Sequence, residues 1–253
     1  MTADFLAPRA VLSPAVSFVI PVYNEEAILQ AAVLDLRESF SALGKSYEIL
    51  LCENGSSDGT VRVLEKLSAK FPELCFFSIA EPNYGAALRA GIQKARGDIV
   101  ICEEIDLCDA DFHARALAIL ERDEADLVVG SKLLAGADDA RPLTRHAASL
   151  IYSGLLRATM GYRGTDTHGL KAMRRARLLP VVERCLVDRD VFASELVIRA
   201  QRAGLRLSEI PVRVMEKRVP SINLIRRVPG VLRRLTDLYR ALGREDAAAP
   251  RRE

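Results

Sequence analysis

Apolar and polar positions along this chain fall into blocks with two different periods. Val16–Val22 (VSFVIPV), Tyr47–Cys52 (YEILLC), Leu74–Ile79, Ile99–Cys102 and Asp126–Ser131 (DLVVGS) are short, nearly continuous apolar runs, as buried strands require. Between them the period lengthens. Glu25–Ala42 carries Ile28, Ala32, Leu36 and Phe40 at helical spacing. Asp58–Lys70 reads as a helix capped by Ser57 or Asp58, and Tyr84–Ala95 and Asp111–Arg122 read as two more. Strands alternating with helices predict an α/β fold with a mostly parallel sheet flanked by helices. Ligands of such sheets bind beyond the carboxyl ends of the strands. That rule selects four polar segments: Pro21–Glu25, Glu53–Gly59, Glu104–Asp106 and Ser131–Lys132.

Composition narrows the class. The 253 residues are 49% hydrophobic, enough for a substantial core, and the net charge of +2 gives no global pull toward nucleic acid. Cys52, Cys75, Cys102, Cys108 and Cys185 are odd in number and lack C-x-x-C spacing, which fits reduced thiols in a cytoplasm. The three histidines are scattered, so zinc is not indicated. No apolar run reaches the roughly 18 residues of a transmembrane helix. The expected organisation is a loose tail over 1–14, one α/β domain over 15–217, basic amphipathic helices over 218–244 and a disordered tail over 245–253.

The richest segment is Asp98–Asp106, a strand ending abruptly in acids. Glu104 and Asp106, two apart, project to one side if the strand continues. Paired carboxylates repel unless a cation sits between them, and oxygen ligands suit Mg²⁺ or Mn²⁺. The alternative is a solvated acidic turn. In Pro21-Val22-Tyr23-Asn24-Glu25, Tyr23 offers a flat face and a hydroxyl to a base or ribose, or else the segment is an ordinary strand-to-helix turn. Glu53 can accept from a base's N–H groups, and Gly55 and Gly59 permit close backbone approach, or else this is a capped loop. Asn83-Tyr84-Gly85 opens a helix whose N–H groups can meet a phosphate.

Taken together, V-S-F-V-I-P-V-Y-N-E-E, E-N-G-S-S-D-G-T, N-Y-G-A-A-L-R-A-G, A-R-G-D-I-V and E-I-D-L resemble family-2 inverting glycosyltransferases of GT-A fold. The branch most alike is dolichol-phosphate mannose synthase and its bacterial polyprenyl-phosphate sugar synthase relatives, with the likeness running from Val16 to about Ser221. The resemblance implies a nucleotide-sugar site at Pro21, Tyr23, Asn24, Glu25, Glu53, Gly55, Asn83, Gly85, Glu104, Ile105 and Asp106. Glu104 and Asp106 stand at the family's D-x-D, which holds Mg²⁺ or Mn²⁺ on the donor diphosphate. Lys132 falls in a G-S-R-like element, and Asp166 to Ala172 in a segment near the acceptor. Glu195 matches an acid on a later helix, Glu209–Val212 an E-V-P-V strand, and Arg218 with Ser221 an R-x-x-S stretch.

The implied reaction moves a hexose, with inversion, from a GDP- or UDP-hexose to a polyprenyl phosphate. The implied catalytic set is Glu104, Asp106, Lys132, Asp166, Lys171, Glu195 and Arg218. An anionic lipid phosphate needs no general base, and Lys132, Arg145, Lys171 and Arg218 are candidates to hold it. A sugar hydroxyl does need one, with Asp166 or Glu195 in that role. A glycan or small hydroxylated acceptor is the alternative, and a nucleotide-sugar-binding protein without turnover the third reading. This chain departs from the pattern at Glu53-Asn54 (usually Asp-Asp), Glu104 (Asp), Cys108 (Gln), and His168, Leu170 and Lys171 (Ser, Phe, Arg). Lys171 keeps a charge but not the bidentate fork.

From Ile222 to Leu242, apolar residues recur at 222, 225, 228, 232, 235, 238, 239 and 242, with Pro229-Gly230 expected to divide the run into two helices. Arg226, Arg227, Arg233, Arg234, Arg240 and Arg244 face a single acid, Asp237, before Glu245. Such helices suit peripheral contact with an anionic membrane face, or equally packing on the body or a homodimer contact.

Overall fold

The computed structural model describes residues 13–105, 108–214 and 224–248, the side chains of 224–227 and 246–248 excepted. Asp106, Arg218 and Ser221 lie outside the described residues, as do residues 1–12 and 249–253 of the expected tails.

The elements follow in the expected alternation: β1 (Val16–Val22), α1 (Leu29–Ser41), β2 (Tyr47–Asn54), α2 (Thr60–Lys70), β3 (Leu74–Ile79), α3 (Tyr84–Lys94), β4 (Ile99–Cys102), α4 (Ala110–Glu121) and β5 (Leu127–Ser131). A short β6 (Asp138–Asp139) leads into α5 (Leu143–Met160), β7 (Lys171–Arg174) and α6 (Arg175–Glu183). A 3₁₀ turn at Arg189–Val191 then precedes α7 (Phe192–Arg202), β8 (Leu207–Pro211), β9 (Arg213–Val214) and α8 (Leu224–Ala248).

The main sheet has seven strands in the order β3-β2-β1-β4-β7-β5-β8. All its neighbours pair in parallel except β7, which runs antiparallel between β4 and β5. Alternate strand residues feed the two faces. Phe18, Ile20, Ile49 and Leu51 pack under α1, α2 and α4, while Val19, Leu50 and Cys52 pack under α3, α6 and α7. The five cysteines are free thiols, four of them buried, and burial raises the pKa of Cys52 and pushes that of Cys102 up to about 12.

Three expectations are corrected. The first helix begins at Leu29 rather than Glu25, because Asn24 takes a left-handed φ of 53° and the next residues turn, Leu29 N–H donating to the Glu25 carbonyl. The second begins at Thr60, whose N–H and hydroxyl are both held by the Asp58 carboxylate. Pro229 does not divide the C-terminal run, since α8 is continuous from Leu224 to Ala248 and takes in the start of the tail expected to be disordered. Proline there removes one helical hydrogen bond. Burial of Leu235, Leu238 and Leu242 against the body, at about 2 kcal/mol each, outweighs it.

Candidate active site

Strand order sets the site's position. From β1 the chain steps outward to β2 and β3, then returns to place β4 on the other side of β1. The carboxyl ends of β1 and β4 therefore form the switch point where a sheet of this kind opens a crevice. Tyr23 emerges from β1 exposed, Glu53 ends β2 in a buried position, and Glu104 follows β4 exposed.

The loops after β1 and β2 are laced together. Asn24 N–H donates to Ser56 Oγ at 3.0 Å, and Asn24 Oδ1 accepts from Ser57 N–H at 2.8 Å. Glu25 N–H donates to Thr60 Oγ1, and Gly59 N–H to Glu26 Oε2. Glu53 Oε1 accepts from Ser56 N–H at 2.5 Å, folding the loop over its carboxylate. Gly55 has a φ of +69°, and a Cβ there would sit 2.9 Å from the Glu81–Pro82 backbone, so the tight turn needs glycine.

Asn83 and Gly85 serve the fold in a way the phosphate reading did not foresee. Asn83 N–H donates to Asn54 Oδ1, while Asn83 Oδ1 accepts from Ala86 N–H at 3.1 Å and Arg189 N–H at 2.8 Å. A Cβ on Gly85 would strike the Arg189 backbone. The N-terminus of α3 is thus capped by its own asparagine and covered by the Arg189–Val191 turn.

Beyond β4, Glu103 is buried and Glu104 exposed, as strand alternation demands. Tyr84 Oη donates to Glu104 Oε1 at 3.1 Å, and Glu104 N–H donates to Glu103 Oε1 at 3.1 Å. The other carboxylate oxygen of Glu103 meets Nε2 of the buried His113. Ile105 is buried. Among the described residues no group of three or more His, Cys, Asp or Glu side chains has metal-holding geometry. Glu104 supplies the hard oxygen donor that Mg²⁺ or Mn²⁺ prefers, so the donor chemistry fits such an ion.

The antiparallel strand brings the segment from Asp166 to Ala172 to the same edge. In register, Lys171 lies beside Cys102 of β4 and Val129 of β5, so the residues leading into β7 emerge where β4 and β5 end. Gly169 crosses so close to Gly130 that a Cβ would overlap the Gly130 carbonyl oxygen. Lys132 Nζ and Asp166 Oδ2 are 2.5 Å apart, and Asp166 Oδ1 accepts from His168 N–H at 2.9 Å. Burial opposes ionisation of Asp166, but the Lys132 ammonium and its hydrogen bond outweigh it, and the pKa is lowered. Lys171 is buried, donates to the Gly169 carbonyl at 2.7 Å, and has its pKa lowered by that burial. His168 is exposed at the surface, with its ring packed edge-on against Tyr152. Desolvation by its neighbours, with the Lys132 and Lys171 charges, pushes its pKa down to about 4.

Glu195 stands apart from this cluster. It is fully buried, accepts from the N–H groups of Leu186 and Val187, and pairs with Arg199 at 2.6 Å. Glu209 likewise gathers the N–H groups of Thr165 and Asp166 and the Tyr162 hydroxyl, holding the start of the Asp166–Ala172 segment in place. Sequence reasoning did not single out Tyr84, Glu103 or His113. Their signals were a tyrosine opening a helix, the inward acid of a pair, and a histidine on an apolar helix face.

Comparison with known proteins follows the same lines. Glycosyltransferase AglD of Haloferax volcanii is 28% identical over 85% of this chain. An undecaprenyl-phosphate 4-deoxy-4-formamido-L-arabinose transferase of Salmonella paratyphi B is 31% identical over 80% of it. The chain spans only 35% and 60% of the lengths of these two relatives. The fold is that of glucosyl-3-phosphoglycerate synthase of Mycobacterium tuberculosis, solved with Mn²⁺, UDP and phosphoglyceric acid (TM-score 0.64, 20% identity, 89% of this chain and 78% of that one). The mannosyltransferase PcManGT of Pyrobaculum calidifontis, solved with GDP-Man and Mn²⁺, also shares it (TM-score 0.54, 21% identity, 84% and 60%). The Glycosyl transferase family 2 profile matches residues 17–180, well over half of the chain. With the GT-A arrangement of its sheet, this places the chain in glycosyl transferase family 2, a family of glycosyltransferases.

Proposed function

We propose that this chain transfers a hexose, of mannose or glucose type, from a GDP- or UDP-sugar to a polyprenyl phosphate, with inversion. The observation that carries the acceptor is the state of the two carboxylates able to act as bases. Asp166 is paired with Lys132 and lowered in pKa, and Glu195 is buried against Arg199 and two backbone N–H groups. A hydroxyl acceptor needs a base of suitable pKa, whereas a phosphate arrives ionised. The Salmonella relative carries undecaprenyl phosphate in its name, and the two solved neighbours hold Mn²⁺ with UDP or GDP-mannose, which supports the donor class.

In this reading Tyr23 and Glu53 bind the base and ribose, and the laced loops keep them in place. Glu104, with Asp106, would hold Mg²⁺ or Mn²⁺. Such an ion, when bound, neutralises charge on the departing diphosphate. Tyr84 orients the Glu104 carboxylate through its hydroxyl. Lys132, Lys171 and Arg218 stand for the acceptor phosphate, with Asp166 positioning Lys132. The enzyme works on the cytoplasmic membrane face as a peripheral protein. No helix among the described residues is long and apolar enough to cross a membrane.

The test is thermal stabilisation by GDP- and UDP-hexoses with and without Mn²⁺ or Mg²⁺. Donor at about 100 times its dissociation constant should add roughly 2.7 kcal/mol. The shift should need metal and vanish in Glu104→Ala. No shift with any donor would overturn the donor site. A metal-independent shift that survives in Glu104→Ala would overturn the assignment of Glu104.

A further inference from the structure

Helix α5 carries a solvent face that soluble helices rarely show. Its eighteen residues include no Asp or Glu. Leu143, Ala147, the neighbours Leu150 and Ile151, Gly154 and Ala158 are linked by three- and four-residue spacings, so they share one side. Opposite them, Ser153, Leu156 and Met160 are buried in the body. Leu143 is 87% exposed, Ile151 73% and Leu150 47%. Such a face normally carries charge. A contiguous apolar patch of this kind marks an interaction surface.

The charges around the face indicate what covers it. Arg157 is exposed at its margin and Arg163 just beyond the helix. On α8, Val228, Leu232 and Tyr239 are exposed, as are Arg233, Arg240 and Arg244. One chain of contacts connects the two helices. Tyr152 of α5 bonds Ser194 and packs on His168, His168 reaches the Asp190 carbonyl, and Asp190 pairs with Arg234 of α8 at 3.1 Å. Apolar stripes fringed by arginine complement an anionic headgroup layer over acyl chains. The contacts also put α5 one side chain away from the acceptor segment.

We propose that the outer face of α5 is a membrane-docking surface, seated on anionic lipid, which presents the acceptor segment to a lipid-borne phosphate. This rests in part on the polyprenyl-phosphate reading above. α8 adds its own apolar and basic edge to the contact.

Flotation of the full chain with vesicles of phosphatidylcholine, with and without phosphatidylglycerol, tests it. The wild type should float with the anionic vesicles and much less with the neutral ones. Leu143→Glu/Ile151→Glu changes two highly exposed side chains and should lower binding about tenfold or more. Arg157→Gln should lower it about fivefold, the weight of one basic residue at such a surface. Equal binding by the Leu143→Glu/Ile151→Glu variant would overturn the proposal. So would a wild-type dimer that binds no vesicle and dissociates in that variant, which would make the face a contact between two copies. Transfer to farnesyl phosphate in vesicle-free buffer separates this surface from the reaction. That transfer should be unchanged in Leu143→Glu/Ile151→Glu. Its absence from a wild type that floats would overturn the acceptor reading while the docking surface stands.

Discussion

Glu103 and His113 form a hydrogen-bonded pair with no solvent contact, directly behind the candidate metal acid Glu104. The imidazole sits among Phe18, Phe40 and Phe112. Burial pushes the Glu103 carboxyl up to about 7, even with His113 and the Glu104 N–H pulling the other way. Removing one partner strands the other in an apolar box. His113→Leu should therefore lower stability by about 3 kcal/mol, at the low end for a broken buried pair because Glu103 can take up a proton. Glu103→Met/His113→Leu should recover most of that, since apolar replacements fit such a site. Urea midpoints of these proteins and of Glu103→Met decide it, and additive losses in the double variant would show that the pair is not coupled.

Gly169→Ala should be far more harmful than its size suggests. The new methyl would overlap the Gly130 carbonyl, so either β5 or the acceptor segment must move. A loss of about 2 kcal/mol or more, with transfer reduced further than stability explains, is expected. Gly243→Ala is the control. It meets open space on α8 and should stabilise by about 0.5–1 kcal/mol.

Glu195→Gln separates scaffold from chemistry. The amide can still accept from the Leu186 and Val187 N–H groups but no longer pairs as an anion with Arg199. Thermal stability should fall, by about 2 kcal/mol, while kcat of the folded enzyme stays within about threefold of wild type. A kcat loss of about a hundredfold or more would make Glu195 a base after all.

The acid limb of stability should carry the mark of His168. Its pKa in the folded chain, about 4, lies below the ordinary value of 6.5. Between these values the unfolded chain binds a proton that the folded chain refuses, so stability rises with pH across that window. The contribution is complete above about 6.5 and is lost as pH falls toward 4. His168→Gln should flatten the slope of unfolding free energy over this range, and an unchanged slope would show that His168 does not cause it.

Most of the fold was legible because its strands are buried on both faces. Runs such as YEILLC admit few other readings, and β3 and β4 begin and end where the periodicity predicts. The carboxyl-end position of the candidate site followed from the alternation, and the switch point between β1 and β4 from the strand order. Three features were not legible. The antiparallel β7 is only four residues long, and only its pairing shows that it delivers Asp166 to Lys171 to the ends of β4 and β5. The continuity of α8 through Pro229 depends on tertiary packing of Leu235, Leu238 and Leu242, which outweighs a local breaker. At the candidate site, strand-end motifs pointed to Glu53 and Glu104 and the family resemblance to Lys132 and Asp166, and the fold pairs those last two. Neither signal revealed that Asn83 is a cap or that Glu195 is a buried brace, because those roles depend on the distant Arg189 and Arg199.

Transfer itself gives the most direct test. The purified chain would be incubated with labelled GDP-mannose, UDP-glucose or UDP-galactose, Mn²⁺, and either undecaprenyl phosphate in detergent or a panel of soluble sugars. Label should enter the lipid phosphate from one donor, require the divalent ion, and be lost in Glu104→Ala. Label entering a soluble sugar but never the lipid would contradict the account.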